Sequence, residues 1–450
     1  MPALAPVTEP DPSFVLLQVK PGVDAADIDA KLQSFVKNGD GSLLFPLGDR
    51  WYVVGRAPGK ELRIVAGGSN DDLAQFIALQ PGIAEIQVVH APELIRLYEE
   101  HQSRRMSRPP DSAPIDNWNL DTVRAPQAWR FLGGWEDFDW KNVRIGHLDT
   151  GYTQHPVFGP WLDNRSPTLL PHLGSNFFDE SEGPLDRLAK EGTPGHGTRT
   201  CSVLCGVDPA KNFLGVAPHV PVVPYRVSNF VVLDTLWWKN KRVGEAIKHA
   251  VFNAGCSVLS ISMGDPCNAS NLMGEAVDLA YEHGVIVVAA AGNITSEVTY
   301  PGRYSRAFGI GGITRREEPW NGGSRGITVD ISAPAAGISR ADCRLENGQF
   351  TPDYGNVGDG TSYATVHVSA AAAMWLAHHG DDLSRYHSQR WQIVEAFRSV
   401  LTSSARKPNP KWDENLFGAG ILDIEALLKA DLPKPEDLVK EPRLAELERF

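Results

Sequence analysis

The chain lacks any uninterrupted apolar run near the roughly 18 residues that a membrane span requires. Its opening segment, MPALAPVTEP, has neither the basic nor the apolar region of a secretory signal. Cysteine is scarce, five in 450 residues, and the odd count fits a reducing compartment better than a disulfide framework. Positive charge is in deficit too: 43 Lys and Arg stand against 55 Asp and Glu, a net charge of −12. That balance argues against a protein that holds nucleic acid by neutralising phosphates. Together these absences predict a cytoplasmic protein with neither membrane nor nucleic acid as a partner. What is present is ordinary globular composition, 42% hydrophobic and 22% charged. The length suits one large domain and a smaller one, or two or three ordinary domains.

Changes of pattern divide the chain. Residues 1–12 hold Pro2, Pro6, Pro10 and Pro12 and read as a lead-in without fixed structure. Over 13–92, extended patterns at 14–20, 43–45, 51–54 and 83–89 alternate with helical spacing at 25–36 and 71–79. That β-α-β-β-α-β order predicts a small ferredoxin-like α+β domain. Residues 93–117 include SRRMSRPPDSAP, polar, basic and proline-rich, the composition of a linker. From 118 to 430 short apolar strands alternate with amphipathic helices. This predicts an α/β domain, a mostly parallel central sheet flanked by helices. The charged end, 431–450, is expected to be a peripheral tail.

Several segments of the large domain carry polar groups where a buried sheet would not otherwise place them. Val143-Arg144-Ile145-Gly146-His147-Leu148 runs into Asp149-Thr150-Gly151, an apolar strand ending in a carboxylate. Strand C-termini are where ligand and catalytic groups collect in α/β sheets. Taken alone, Asp-Thr-Gly also fits an aspartic protease, a helix N-cap or a plain turn. Gly195-His196-Gly197-Thr198 opens a helix of small residues, and glycines on both sides let backbone and substrate approach the imidazole. A lone His at a helix start is nevertheless usually structural. Gly360-Thr361-Ser362 follows a Gly-rich turn and opens a long helix of small residues. There Ser362 is either a simple N-cap or a nucleophile beside helix N–H groups that can hold an oxyanion. The apolar run 285–291 ends in Gly292-Asn293, a common turn pair whose carboxamide NH₂ would suit the same oxyanion.

At these segments the sequence resembles the subtilisin-like serine proteases. Asp149 (LDTG), His196 (GHGT) and Ser362 (GTSYAT.HVS) stand in the Asp–His–Ser chain order of subtilisin, with Asn293 between His and Ser. GVAP at 215–218, LSISMG at 259–264, YPGRY at 300–304, ISAP at 331–334 and GAGILD at 418–423 also resemble family segments. The likeness therefore covers about 118–430. It implies a subtilisin-like fold and a serine endopeptidase, with Ser362 as nucleophile and His196 as general base. Asp149 would orient the imidazole, and Asn293 with the Ser362 backbone N–H would bind the oxyanion. An extended substrate is expected to add a strand along Ser262, Met263 and Gly264. The S1 pocket would be walled by 289–292, Gly292 included, and by the stretch near Thr299. Glu297 and Asp265 would favour a basic side chain there unless they are merely solvated. Trp237-Trp238 stand in the place of a cleft wall unless they pack within their helix.

The 13–92 unit resembles the family's propeptide, a folding helper and inhibitor. The expected partners are thus a protein or peptide substrate and the chain's own N-terminal domain as inhibitor. The sequence also departs from the family. Val366 replaces a usual Pro and Ala370 a frequent Gly behind Ser362. Segment 207–214, at the usual calcium loop, has few oxygen side chains and carries Lys211, so no metal and no cofactor is expected. The competing readings are a catalytically silent binding module of the same fold and a peptide-maturation hydrolase with one dedicated substrate.

Overall fold

The computed structural model describes residues 13–19, 44–48, 51–54, 83–90 and most of 115–443. Within the last range, 163–165, 180, 189–192, 232, 234–236, 266–270, 294–296, 347, 355–356 and 409–410 lie outside the described residues. The chain divides into two compact units, Met1–Arg105 and Met106–Phe450.

In the first unit, β1 (Ser13–Val19), β2 (Leu44–Gly48), β3 (Trp51–Val54) and β4 (Ile83–His90) form one sheet. Its order is β2-β3-β1-β4 and every pairing is antiparallel. Neither β1 and β2 nor β3 and β4 are neighbours, so both connections cross over another strand. The helices expected in those connections, 25–36 and 71–79, lie outside the described residues.

The strands of the second unit are β5 (Ile145–Asp149), β6 (Ser175–Asn176), β7 (Val207–Asp208), β8 (Phe213–Leu214), β9 (Val222–Arg226) and β10 (Val258–Ile261). They continue with β11 (Ile286–Ala290), β12 (Phe308–Ile313), β13 (Ile331–Pro334), β14 (Ile338–Ser339), β15 (Asp342–Glu346), β16 (Gln349–Asp353) and β17 (Val357–Gly358). A seven-stranded sheet runs β13-β12-β11-β10-β5-β9-β6, parallel throughout. The rest form the small antiparallel pairs β7–β8, β14–β17 and β15–β16. Its helices are α1 (Trp118–Thr122), α2 (Ala125–Phe131), α3 (His196–Cys205), α4 (Trp237–Phe252) and α5 (Asn271–Glu282). After them come α6 (Thr361–His379), α7 (Trp391–Ser403), α8 (Glu414–Phe417) and α9 (Ile424–Lys429).

The central strands are near-continuous apolar runs because helices cover both faces of the sheet, and the period of two divides their side chains. Ile145, Val258, Ile286, Val288 and Phe308 enter a core shared with α6 and α7. Leu148, Leu259, Ile261, Val287 and Ala289 enter a second core with Val243 and Ile247 of α4 and Met273 and Val277 of α5. Helix α6 is buried from Thr361 through Ala377. A helix with no solvent face must be small or apolar all round, and Val366 and the run Ala370–Ala373 meet that demand.

One feature of the topology places the site. β5 pairs with β9 on one side and β10 on the other, so successive connections leave β5 in opposite directions. A crevice opens at such a switch point, beyond the carboxyl ends of the strands. Asp149 ends β5, Ser262 follows β10, and Gly292-Asn293 follow β11.

At the far end, the described part of the stretch expected to be a peripheral tail, 431–443, is tied to the body. Arg306, buried, donates to the Glu441 carbonyl from Nε (3.0 Å) and Nη2 (2.7 Å), and the Glu441 N–H donates to the Tyr281 hydroxyl (3.0 Å). These bonds run to backbone, which the tail's charged composition does not reveal.

Candidate active site

Asp149 is fully buried and His196 nearly so. The Asp149 Oδ1 accepts the Thr150 N–H (2.7 Å) and the His196 Nδ1–H (2.7 Å), and the Thr200 hydroxyl lies 3.3 Å from Oδ2. Burial works against a charge on Asp149. The adjoining His196 ring, by its charge and its hydrogen bond, nevertheless holds the carboxyl below the usual carboxylate range. With Nδ1 committed to donation, Nε2 is the ring atom left to accept a proton.

The two turns that carry this pair are pinned to each other. The Asp186 Oδ2 accepts the Thr150 hydroxyl (2.8 Å) and the Gly195 N–H (2.7 Å), and the Thr150 Oγ1 accepts the Gly197 N–H (3.1 Å). Gly197 has no alternative here, since a Cβ would come 2.0 Å from the Gly151 carbonyl oxygen. Sequence reasoning did not single out Asp186, one carboxylate among many in a loop, and no local signal marks it. It also passed over His147, whose buried Nε2 lies 3.1 Å from the Thr200 hydroxyl. Burial lowers the pKa of His147 and keeps it neutral beside Asp149.

Across the crevice, Thr361 opens α6 and fixes Asn293. The Asn293 Oδ1 accepts both the Thr361 N–H (2.9 Å) and its hydroxyl (2.8 Å), while the Thr361 Oγ1 accepts the Gly292 N–H (3.1 Å). With its oxygen claimed by two donors, the carboxamide turns its Nδ2 toward Gly360, where a Cβ would stand 3.3 Å away. Ser362 is buried at the first turn of α6. Its hydroxyl donates to the Ser262 carbonyl (3.1 Å), and the Ser262 hydroxyl donates to the Ser362 carbonyl (3.1 Å). The Ser362 proton is thus directed at Ser262 rather than at His196. Catalytic hydrogen bonds of this kind often tighten only when substrate is in place.

The expected substrate edge is partly engaged by the chain itself. The Gly264 N–H donates to the Val231 carbonyl (3.0 Å), and the Gly264 carbonyl accepts the Leu233 N–H (2.8 Å). Met263 packs its side chain into the α4–α5 core. The two carboxylates considered for a basic specificity pocket are otherwise committed. Glu297 is bonded to Arg303 (2.6 Å), and Asp265 is fully buried with its backbone paired to Tyr300. The side chains of Trp237 and Trp238, at the start of α4, lie outside the described residues. Among the described residues Cys201, Cys205, Cys256 and Cys343 are free and buried, and no group of three or more His, Cys, Asp or Glu is placed to hold a metal ion.

Two motif-bearing turns locked together, a third delivering Ser362 to a helix start, and a parallel sheet beneath them describe a known architecture. The sequence profile of the subtilase family, Peptidase_S8, matches residues 140–420. The chain belongs to the subtilase family. Among its curated relatives, the major intracellular serine protease of Bacillus subtilis (strain 168) is 26% identical over 316 residues, covering 68% of this chain and 87% of that protein. Subtilisin DY of Bacillus licheniformis is 29% identical over 290 residues, covering 63% and 90%. Among solved structures, MycP1 from Mycobacterium smegmatis aligns with a TM-score of 0.54 at 21% identity, over 75% of this chain and 91% of that one. MycP1 with its N-terminal propeptide removed gives 0.54 at 23%, over 72% and 100%. This subtilase is accordingly a serine endopeptidase with the subtilisin-like fold. Among the described residues no helix is long and apolar enough to cross a membrane.

Proposed function

We propose that Asp149, His196 and Ser362 are the catalytic triad of this endopeptidase and that Asn293 is its oxyanion donor. The carrying observation is the buried Asp149–His196 bond of 2.7 Å, set across the crevice from a serine that opens a buried helix beside Asn293. On substrate binding, the Ser362 Oγ attacks the scissile carbonyl carbon while the His196 Nε2 takes its proton. Asp149 keeps the Nδ1–H tautomer and stabilises the imidazolium. The carbonyl oxygen becomes an oxyanion, held by the Asn293 Nδ2–H and the Ser362 backbone N–H. That N–H belongs to the first turn of α6, where no helical partner exists. The C–N bond then breaks as the imidazolium gives its proton to the leaving amine, which leaves an ester on Ser362. Water, deprotonated by His196, hydrolyses the ester through the same oxyanion site and frees the carboxylic product.

The substrate strand would pair at Ser262–Gly264 by displacing the Val231 and Leu233 bonds to Gly264. A fluorophosphonate probe tests the assignment. It should label the wild type and not Ser362→Ala, and only the labelled form should hydrolyse a peptide. Labelling without any peptide hydrolysis would favour the dedicated maturation hydrolase, and no labelling at all the silent binding module.

Residues 13–92 would be a ferredoxin-like inhibitory domain, a reading supported by the four-stranded antiparallel sheet with its crossing connections. The isolated segment, added in trans, should inhibit a form cleaved within 93–117. No inhibition would make it a permanent accessory domain instead. A cytoplasmic location is supported by the free cysteines among the described residues and by the relative named as intracellular. Titration of denatured, unreduced protein should find five thiols.

A further inference from the structure

We propose that Thr299 closes the specificity slot to all but small side chains, so that the enzyme cuts after glycine, alanine or serine. The inference rests on the reading of Ser362 as nucleophile and deepens it.

Two backbone stretches flank the nucleophile. Ser262 is bonded to Ser362 in both directions, and Gly292 donates to the Thr361 Oγ1 (3.1 Å). An acyl group on Ser362 therefore sends its side chain into the gap between 262–264 and 290–292. These stretches continue the paired strands β10 and β11. Beyond the strands the gap is bridged from below. The Thr299 N–H donates to the Ala291 carbonyl (2.8 Å), and Asp265 and Tyr300 exchange both backbone bonds (2.8 Å each).

That bridge leaves the Thr299 side chain between two facing glycines. A Cβ on Gly264 would come 2.0 Å from the Thr299 Oγ1 and 2.7 Å from its Cβ. A Cβ on Gly292 would come 2.8 Å from its Cγ2 and 3.2 Å from Oγ1. Glycine on each wall would let a long or flat side chain slide between them, but such a chain needs about 3.5–4 Å of clearance from every neighbour. Thr299 occupies that room. Its hydroxyl lies 3.2 Å from the Ala291 carbonyl and 3.4 Å from that of Ala290, and the residue is buried. A β-branched side chain keeps two heavy atoms on Cβ in every rotamer, so rotation does not empty the slot. With Glu297 bonded to Arg303, the selection rests first on size.

The test is a series of peptides that differ only in the residue before the scissile bond. Wild type should show kcat/KM at least about two-hundredfold higher for Ala than for Phe, since an excluded ring exceeds the about 10–200-fold of a single misplaced methylene. Thr299→Gly should narrow the Ala-to-Phe ratio by about tenfold or more, and Thr299→Ala should narrow it less. Thr299→Val, which keeps the bulk and drops the hydroxyl, should leave it in place. Equal wild-type rates on Ala and Phe would overturn the inference. So would an unmoved ratio in Thr299→Gly and Thr299→Ala when both still take a fluorophosphonate at Ser362. Either result leaves the endopeptidase reading standing. If the small variants fail to label, the wild-type profile alone decides. A wild type without Ser362-dependent labelling removes that reading and this inference with it.

Discussion

Asp149 and Gly264 lie just at or beyond the ends of the neighbouring strands β5 and β10, yet the two regions differ in readiness. Around Asp149 the bonds that would orient the imidazole are already formed, His196 Nδ1, Thr150 N–H and the Asp186 cross-link, while the Ser362 hydroxyl still faces the Ser262 carbonyl. At Gly264 the groups that a substrate would use are taken by Val231 and Leu233. In the proposed triad the Asp149–His196 part is preorganised, and only the Ser362 hydroxyl has to turn. The proposed binding half would work by exchange. Each main-chain bond gained by a substrate there replaces one that the enzyme gives up, and the net gain falls below the about 0.5–1.5 kcal/mol of an ordinary intramolecular bond. Affinity must then come from side-chain pockets or from a longer strand.

The sharpest way to break this comparison is at the catalytic half. Ser362→Ala and His196→Ala should each remove nearly all turnover, and the double variant should be hardly worse, because the two act as one unit. Additive losses in steady-state kinetics would show that nucleophile and base do not act as a unit. Asn293→Ala should cost less, roughly a hundred- to a thousandfold in kcat, a magnitude established on a subtilisin, a member of this same family. KM should hardly move, because the ground-state carbonyl makes little use of that donor. A wild-type kcat in this variant would reduce Gly292-Asn293 to a structural turn.

The binding half yields a smaller effect. An acylating peptide long enough to cover Gly264 should release the Leu233 amide, raising its hydrogen-exchange rate by about tenfold, while a small fluorophosphonate should not. A Leu233 amide that stays protected under the long inhibitor would mean that substrate does not pair at Gly264.

The smallest effect tests the scaffold behind Ser362. His367 in α6 is fully buried, its Nδ1–H donating to the Tyr363 carbonyl (2.6 Å) and its Nε2 accepting from Asn119 (3.0 Å). Burial lowers its pKa to about 4 from 6.5, so the unfolded chain binds the proton first. Its contribution is present above pH 6.5 and falls as the pH drops toward about 4, by on the order of 1–3 kcal/mol. His155 and His379, also lowered to about 4, act with the same sign. Thermal melts of Ser362→Ala should weaken over that window, and adding His367→Gln should flatten the slope. An unchanged slope would show that α6 tolerates a charge in its core.

The catalytic candidates were legible in the sequence because Asp149, His196, Asn293 and Ser362 are polar residues at the ends of apolar strands or the starts of small-residue helices. The parallel sheet was legible for a related reason, since strands covered on both faces read as short apolar runs between helices. The substrate edge was legible only as a place. Its actual partners, Val231 and Leu233, are an apolar pair in a loop, and they bond through backbone atoms that every residue carries. The basic-pocket reading of Glu297 and Asp265 came from charge alone, and a charge does not show that Arg303 already pairs with Glu297 or that Asp265 is buried.

The sequence by itself therefore pointed to the chemistry of a serine endopeptidase, because the proposed nucleophile, base and carboxylate are read from residue type and chain order. What could reach that chemistry, in the readings proposed above, depends on the tertiary structure. The Thr299 side chain between Gly264 and Gly292, the Asp186 cross-link and the self-paired edge each depend on a separation of a few ångströms between segments distant in the chain. Such separations are set by how strands and helices pack, and no single residue type encodes them.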